Sequence, residues 1–534
     1  MDNHIFKREV LEDKFEAIVD KTLGEIDDKG IFERVKQFPL QKGIAGTVIE
    51  QCVIGYAPDN KQDADLMVVY PNNRKVPTEL KTTGMVLNKN KEYVAKEPMS
   101  ITAVGIYDLV NQSFASSHFW KKIEHMLLVY YLYNSNNAVK AYEYKDFAIK
   151  GYDFHEFTKK ESIVLQQDWE NVWKLVKRIV DNHPGEHDKI WKEQVHKEYI
   201  NVHGELHGKL NYIDLAPRNV PRFRFKKPFV STLIAKKFGK KFSVLSEEYT
   251  FVSDIERKCY QLTKIYKGKT MRQIAIELNM EIPKEQIVNG GRLDIVEKAD
   301  KAFGQKITVA MFGGQGSMKN IEIFNEFGII GKTIILTFDD KRTEDMKFYR
   351  VDFDEMRQKN KYDEGGKERA VEFEDSEIYS YFMDQKFMII IFKEPYKPCK
   401  GERIPLLDNI FVGFKLLTFS ESFVYNSGKA LWEDTRDKIF NNKLIDVIER
   451  DRNGNPKQNA SGEVSSAPNW MKKGRGKDKN LLFFRGSGKI STMKYKTEVV
   501  NGIYMLPQNV WIDGEFIVQQ LNLVDDLTKS VESR

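Results

Sequence analysis

The sequence predicts a mixed α/β protein of two domains, each with a mixed central sheet flanked by helices. Three observations carry that expectation. The 534 residues exceed what one hydrophobic core can organise. Short apolar runs of strand length, such as ADLMVVY and FMIIIF, alternate with segments whose apolar residues recur at helical spacing. The landmarks also come twice in the same order. Lys81 of TELKT precedes a Trp-Glu helix at Trp169 by 88 residues, and a basic, aromatic segment at Tyr212 follows by 43. Lys332 of IIGKT precedes Trp432 by 100, and the matching segment at Phe484 follows by 52. The pattern restarts after Lys241, so the expected domains are 1–241 and 242–534.

Taken in order, the first forty residues read as helical. GIAGTVIEQCVIGY is a further helix, with Glu50 near its end. ADLMVVY, the turn PNNR and KVPTELKTT form a hairpin, in which Pro77 fits an edge or a bulge. A helix is expected over Gln166–Asn182. Beyond Lys241, SEEYTFVSDIERKCYQLTKIYKGKTMRQIAIELN is helical, KNIEIFNEFGIIGKTIILTF reads as a helix or strand entering a central strand, and KFMIIIFKE as a buried strand. KALWEDTRDKIFNNKLIDVIE reads as one helix, and the Gly/Asn/Ser/Pro-rich stretch Asp451–Asn469 as a mobile loop.

The composition, 41% hydrophobic and 30% charged, is that of an ordinary globular chain. No apolar run approaches the roughly 20 residues a membrane helix needs, and the charged start MDNHIFKREV lacks the apolar core of a signal peptide. Three scattered cysteines, Cys52, Cys259 and Cys399, make neither a disulfide framework nor a zinc site. A reducing cytoplasm is the expected location.

The chemistry is sought in the hairpin. Carboxylates on one strand and Glu-x-Lys on the next can hold Mg²⁺ through hard oxygen ligands, leaving positions for phosphate and water. The adjacent lysine can orient a nucleophile and stabilise developing negative charge. If Pro71, Asn72 and Asn73 form a three-residue loop, paired positions sum to 144. Asp65 then faces Glu79 and Asp63 faces Lys81, all on one side of the sheet; a four-residue loop would turn Asp65 away. Asp65 and Glu79 are the expected metal ligands, with Asp63 in reserve. Glu-x-Lys alone is weak, recurring at Glu12–Lys14, Glu143–Lys145 and Glu256–Lys258. The preceding acid-bearing strand and Glu50 set this instance apart.

The net charge of +6 is mild but uneven. Lys209 to Lys241 holds ten Lys/Arg against Asp214, and Asn469 to Lys496 nine against Asp478. Basic stretches interleaved with aromatic residues suit nucleic acid. The candidates are Lys209, Arg218, Arg222, Arg224, Lys226 and Lys227 in the first, and Lys472, Lys473, Arg475, Lys477 and Arg485 in the second.

KGIAGTVIE, DADL and TELKT resemble the helix-Glu, Asp-strand and Glu-x-Lys-Thr pattern of the MutH-like nucleases of the PD-(D/E)xK superfamily. That family includes the mismatch-repair nickase MutH and the tandem type II restriction enzymes of the Sau-three-A kind, which cut at GATC. QQDWENVWKLVKRI and FRFKKPFVSTLIAKKF resemble the family's Trp-Glu helix and late Lys-Lys segment. KGKTMRQIAIEL, IEIFNEFGIIGKTIIL, LWEDTRDKI and YMLPQNVWIDGEFI look like the second domain of the tandem enzymes, so the resemblance spans nearly the whole chain. It implies two MutH-like restriction-endonuclease-fold domains and an active set of Glu50, Asp65, Glu79 and Lys81. It also implies Mg²⁺, double-stranded DNA as substrate, a DNA-induced homodimer and a cognate DNA methyltransferase in the same restriction–modification system.

Two departures stand out. The interval from Asp65 to Glu79 is longer than in MutH. The second half reads Gly328-Ile329-Ile330-Gly331-Lys332-Thr333, with Ile330 where the family has a glutamate, so that copy is expected to be inactive and to serve DNA binding or allosteric control. The competing expectations are a non-enzymatic DNA-binding regulator, with GKTMRQIAIELNMEI as a helix-turn-helix, and a strand-nicking mismatch-repair enzyme.

Overall fold

The computed structural model describes residues 4–37, 43–56, 64–88, 90–135, 139–201, 208–216, 221–289, 292–342, 344–362, 368–451, 453–459, 462–474, 479–488 and 492–523. Within them the chain is a mixed α/β protein. Asp63, Arg218, Arg475 and Lys477 lie outside the described residues.

The first sheet has six strands: β1 (Ile5–Lys7), β2 (Leu66–Val69), β3 (Lys75–Leu87), β4 (His125–Leu132) and β5 (Ile149–Glu156) lie in that order across it, and the short strand Tyr93–Ala95 pairs with the end of β3. β1 runs parallel to β2, β2 antiparallel to β3, β3 parallel to β4, and β4 antiparallel to β5. The β2–β3 register pairs Leu66 with Thr78 and Val69 with Lys75, so every pair sums to 144. Tyr70 and Arg74 close the turn, and Asn73 adopts φ 61°, the left-handed conformation a three-residue loop requires. Pro77 pairs with Met67, short of Glu79 where the ladder to β4 begins, so its missing N–H falls on a locally open edge.

The first forty residues are less helical than expected. β1 precedes α1 (Arg8–Glu16), and two short helices, Leu23–Ile26 and Ile31–Gln37, follow. α2 (Ile44–Val48) continues as a π-helical turn over Ile49–Ile54, which places Glu50 at the start of that turn rather than near a helix end. Ser117 caps α3 (His118–Ile123), which leads into β4. After β5 comes α4 (Lys159–Asn182), longer than the pattern suggested, then β6 (Ile213–Leu215), β7 (Arg222–Phe225) and α5 (Lys227–Lys237). β7 pairs antiparallel with both β6 and the strand Met99–Ala103.

The same order recurs. α6 (Lys301–Met311) precedes β8 (Ile329–Leu336); Ser376 caps α7 (Glu377–Asp384); β9 (Lys386–Lys393) and β10 (Ile410–Leu417) follow. β8 is parallel to β9 and β9 antiparallel to β10, as β3, β4 and β5 are related. α8 (Ala430–Phe440) stands where α4 does and ends at Phe440, well before the expected Glu449. β11 (Leu482–Gly486) and β12 (Gln508–Ile512) complete the order, β12 pairing antiparallel with β11 and with Met346–Arg350. The stretch expected to be a mobile loop carries the strand Ser466–Pro468, paired with Asp446–Ile448, and backbone bonds from Lys457 and Ser465.

Both central strands are buried on two faces, which explains their unbroken apolar runs. Along β4, Leu127 and Val129 face a core formed with α1 and α2, while Met126, Leu128 and Tyr130 face a second core. Along β9, Met388, Ile390 and Phe392 join that same second core, whereas Phe387, Ile389 and Ile391 face a third. One apolar cluster therefore runs across residue 241. Ile274 and Ala275, candidates for a helix-turn-helix, are fully buried in it, as in a plain core helix. No described helix is long and apolar enough to cross a membrane.

Candidate active site

The hairpin register sets the site. Asp65 immediately precedes β2, and its Oδ2 accepts the Leu80 backbone N–H at 2.9 Å, which locks it against the strand carrying Glu79 and Lys81. Its own carbonyl accepts from His4 Nδ1 at 2.9 Å. Glu79 is buried, at 3% exposure, and both its oxygens are occupied. Lys81 Nζ lies 2.7 Å from Oε1 and Lys122 Nζ 2.8 Å from Oε2.

Lys122 lies on α3, 43 residues from Glu79, and sequence reasoning missed it. The available signal was the run HFWKKI ending just before the central strand; nothing in the spacing says which lysine turns inward. Burial, then the negative charge of Glu79, pushes the Asp65 carboxyl up to about 6, against the Leu80 N–H and the ammonium groups of Lys81 and Lys122. That repulsion between two hard-oxygen groups is what a divalent cation relieves, so the donor set fits one. The described residues contain no cluster of three or more His, Cys, Asp or Glu arranged for a metal. Beside Lys81 a cavity of about 290 Å³ opens between the start of α2 and the segment around Lys96.

The expected DNA-contacting residues divide. Lys209 and Lys472 are exposed, and Arg222 and Lys227 half-buried. Arg224 pairs with Asp214 at 2.7 Å. Lys473 bridges Asp345 at 2.7 Å and Asp513 at 2.6 Å. Arg485 pairs with Asp345 at 3.1 Å while stacking over Trp511. Lys226 corrects the expectation: it is 1% exposed, and its Nζ donates to the Leu210 carbonyl at 2.9 Å, so it serves the core rather than a DNA surface.

In the second half, Ile330 and Lys332 occupy on β8 the places Glu79 and Lys81 hold on β3. Gly304 of α6 faces Thr333 as Gly46 of α2 faces Thr82. Four residues after these glycines stand Thr308 and Glu50 respectively; Thr308 is fully buried and bonds back to the Gly304 carbonyl at 3.0 Å. Between α6 and β8 the chain forms a short turn at Met318–Asn320 and the helix Glu322–Glu326, so no strand corresponds to the one Asp65 introduces.

A mixed sheet carrying two acids and two lysines on one hairpin and its neighbouring helix is an arrangement that can be compared with known nuclease folds. Its particular kinship is given by residues 54–168, which match the family model for the DNA mismatch repair enzyme MutH, supporting a MutH-like DNA endonuclease domain. The matched stretch contains Asp65, Glu79, Lys81 and Lys122, and Glu50 lies just before it. No curated protein matches the chain.

Proposed function

We propose that this chain is a type II restriction endonuclease making Mg²⁺-dependent double-strand cuts at a short DNA site, GATC by analogy with the enzymes it resembles. Residues 1–241 cut, and residues 242–534 bind DNA without cutting and control the first half. The observation that carries the reading is Asp65 held beside Glu79-x-Lys81 by the hairpin register. Asp65 and Glu79 would hold Mg²⁺, which lowers the pKa of a coordinated water and neutralises charge on the scissile phosphate. Of the two lysines on Glu79, Lys81 is the more exposed, 23% against 13% for Lys122. Lys81 is therefore assigned to orient the attacking water, while Lys122 positions Glu79. Glu50 is assigned to support Lys81 or a second ion.

The repeated element order supports a duplication, and the loss of Glu79, Glu50 and the Asp65 strand supports an inactive second copy. One working site and two strands to cut call for two chains, brought together on DNA, with the second half holding another copy of the recognition site. A methyltransferase of the same specificity would protect host DNA. Digestion of unmethylated DNA with Mg²⁺, followed by sequencing of the ends, tests the reading. Double-strand ends at one short sequence are expected, with Glu79→Ala and Lys81→Ala proteins binding but not cutting; full cutting by either overturns the assignment. A mismatch-repair nickase would leave one strand intact in the same digest, and a DNA-binding regulator would cut neither. Cleavage per site that is equal on one-site and two-site plasmids at every protein concentration rules out the paired-chain arrangement.

A further inference from the structure

The place that the active site occupies in the first half is, in the second, a cavity of about 600 Å³ lined by Lys332, Thr333, Arg342, Lys347 and Arg485 among others. In the first site the carboxylates of Asp65 and Glu79 meet the two ammonium groups of Lys81 and Lys122; here cations are in excess. Two carboxylates line it, and both are engaged: Glu344 with Lys301, and Asp345 with Lys473 and Arg485. Among the described residues Lys332 and Lys347 form no ion pair with a carboxylate, while Arg342 feels the charges of Glu344 and Asp345 without a side-chain bond to either. Among the described residues Lys332 Nζ donates to backbone carbonyls, that of Lys347 at 2.8 Å and that of Phe348 at 3.5 Å. Lys347 reaches the Ser487 hydroxyl at 3.3 Å. Arg342 is 5% exposed; its Nε and Nη2 donate to the carbonyls of Glu344 and Asp345, and its Nη1 is buried with no partner among the described residues.

Leaving so much positive charge in a partly desolvated recess is unfavourable unless an anion completes it. Burial pulls the Lys332 ammonium down to about 8 and the Arg342 guanidinium down to about 10, the direction an incoming anion reverses.

We propose that this cavity is a phosphate site, in which a backbone phosphate of duplex DNA sits directly on the cations around Lys332, in the place where the first half would hold a metal ion and the scissile phosphate. The inference rests on the proposed DNA-binding role of the second half and deepens it. A vestigial catalytic pocket is kept as a clamp: Ile330 and Thr308 remove the carboxylates that would repel the phosphate, while the lysine of the old motif stays. Such a contact positions DNA without reading its sequence.

The test uses the full chain carrying Glu79→Ala, so that binding is measured without cutting, with a chelator present. Affinity for a duplex is followed by anisotropy across a range of salt. Lys332→Gln and Lys347→Gln should each weaken binding to any duplex sequence alike and reduce the log–log salt slope by about 0.9, the loss of one neutralised phosphate. Lys347 is exposed, so its substitution leaves folding intact even where the half-buried Lys332 does not tolerate change. An unchanged slope and affinity for Lys347→Gln overturns the proposal. So does a pocket that takes only small anions, seen as stabilisation of the parent by inorganic phosphate, lost in Lys347→Gln, with duplex binding the same in both. The two readings fail separately. A chain that cuts DNA while both variants bind as the parent does loses the clamp and keeps the nuclease. A chain that never cuts while the variants lose the slope keeps the clamp and loses the nuclease.

Discussion

The Leu80 backbone N–H donates to Asp65 Oδ2 at 2.9 Å, so the residue that opens one hairpin strand is fastened between Glu79 and Lys81 on the next. The fastening has an electrostatic cost, because Asp65 is pushed from its ordinary 3.8 up to about 6 by burial and by Glu79. Between those values the folded protein binds more protons than the unfolded chain, so stability falls as pH rises through that window and stays low above it. The shift corresponds to roughly 3 kcal/mol. Asp65→Asn removes the ionisation. It should melt higher than the parent at neutral pH, lose cleavage, and lose the stabilisation that Mg²⁺ gives the parent. Denaturation from about pH 4 to 8, with and without Mg²⁺, checks this; a variant less stable than the parent at neutral pH refutes it.

Lys122 should matter for stability first. Removing one of two ammonium groups from a carboxylate at 3% exposure leaves buried charge under-compensated, a loss on the order of 3–5 kcal/mol. Lys122→Met is expected to lower the denaturation midpoint markedly, and a Glu79→Gln, Lys122→Met double variant to recover much of it. Equal destabilisation in single and double variants would show that the pair is not coupled.

A third expectation concerns the contact between the halves. Tyr212 Oη donates to Glu326 Oε2 at 2.9 Å, and Lys236 Nζ lies 3.1 Å from Oε1. Burial holds the Glu326 carboxyl above its usual range. Tyr212→Phe should cost about 1–3 kcal/mol, the penalty of depriving a buried acceptor of its donor. Calorimetry of the full chain reads it, and an unshifted transition contradicts it.

If the second half is the inactive copy proposed above, restoring one residue should not make it cut. Ile330→Glu, placed in a Glu79→Ala background, lacks both a counterpart to Glu50, where Thr308 stands, and the strand that brings Asp65. Plasmid cleavage by that protein would mean the second half had kept more of the machinery than its elements indicate.

The geometry of the candidate site was legible because hairpin geometry is local. A three-residue loop with asparagine in the left-handed conformation fixes the register, and period-two alternation then puts Asp65 beside Glu79. The buried central strands were legible from their apolar runs. Lys122 was not, because its partner lies 43 residues away and only the packing of α3 against the sheet brings them together. Lys226 misled for a related reason: adjacent lysines look alike in sequence, yet one is the N-cap of α5 turned into the core and its neighbour the first residue of the helix. The strand Ile5–Lys7 was hidden because three residues joining a parallel edge leave no periodicity to read.

The side chains of Met126 and Leu128 belong to the same apolar mass as those of Met388 and Ile390. A gene severed near codon 241 would therefore yield two fragments, each with a raw oily flank that the other had covered. Exchanging one half for that of a cousin would succeed only where the seam is exchanged with it. Under the proposed duplication, a copy that had lost its chemistry would still be kept, because it supplies half of the wall.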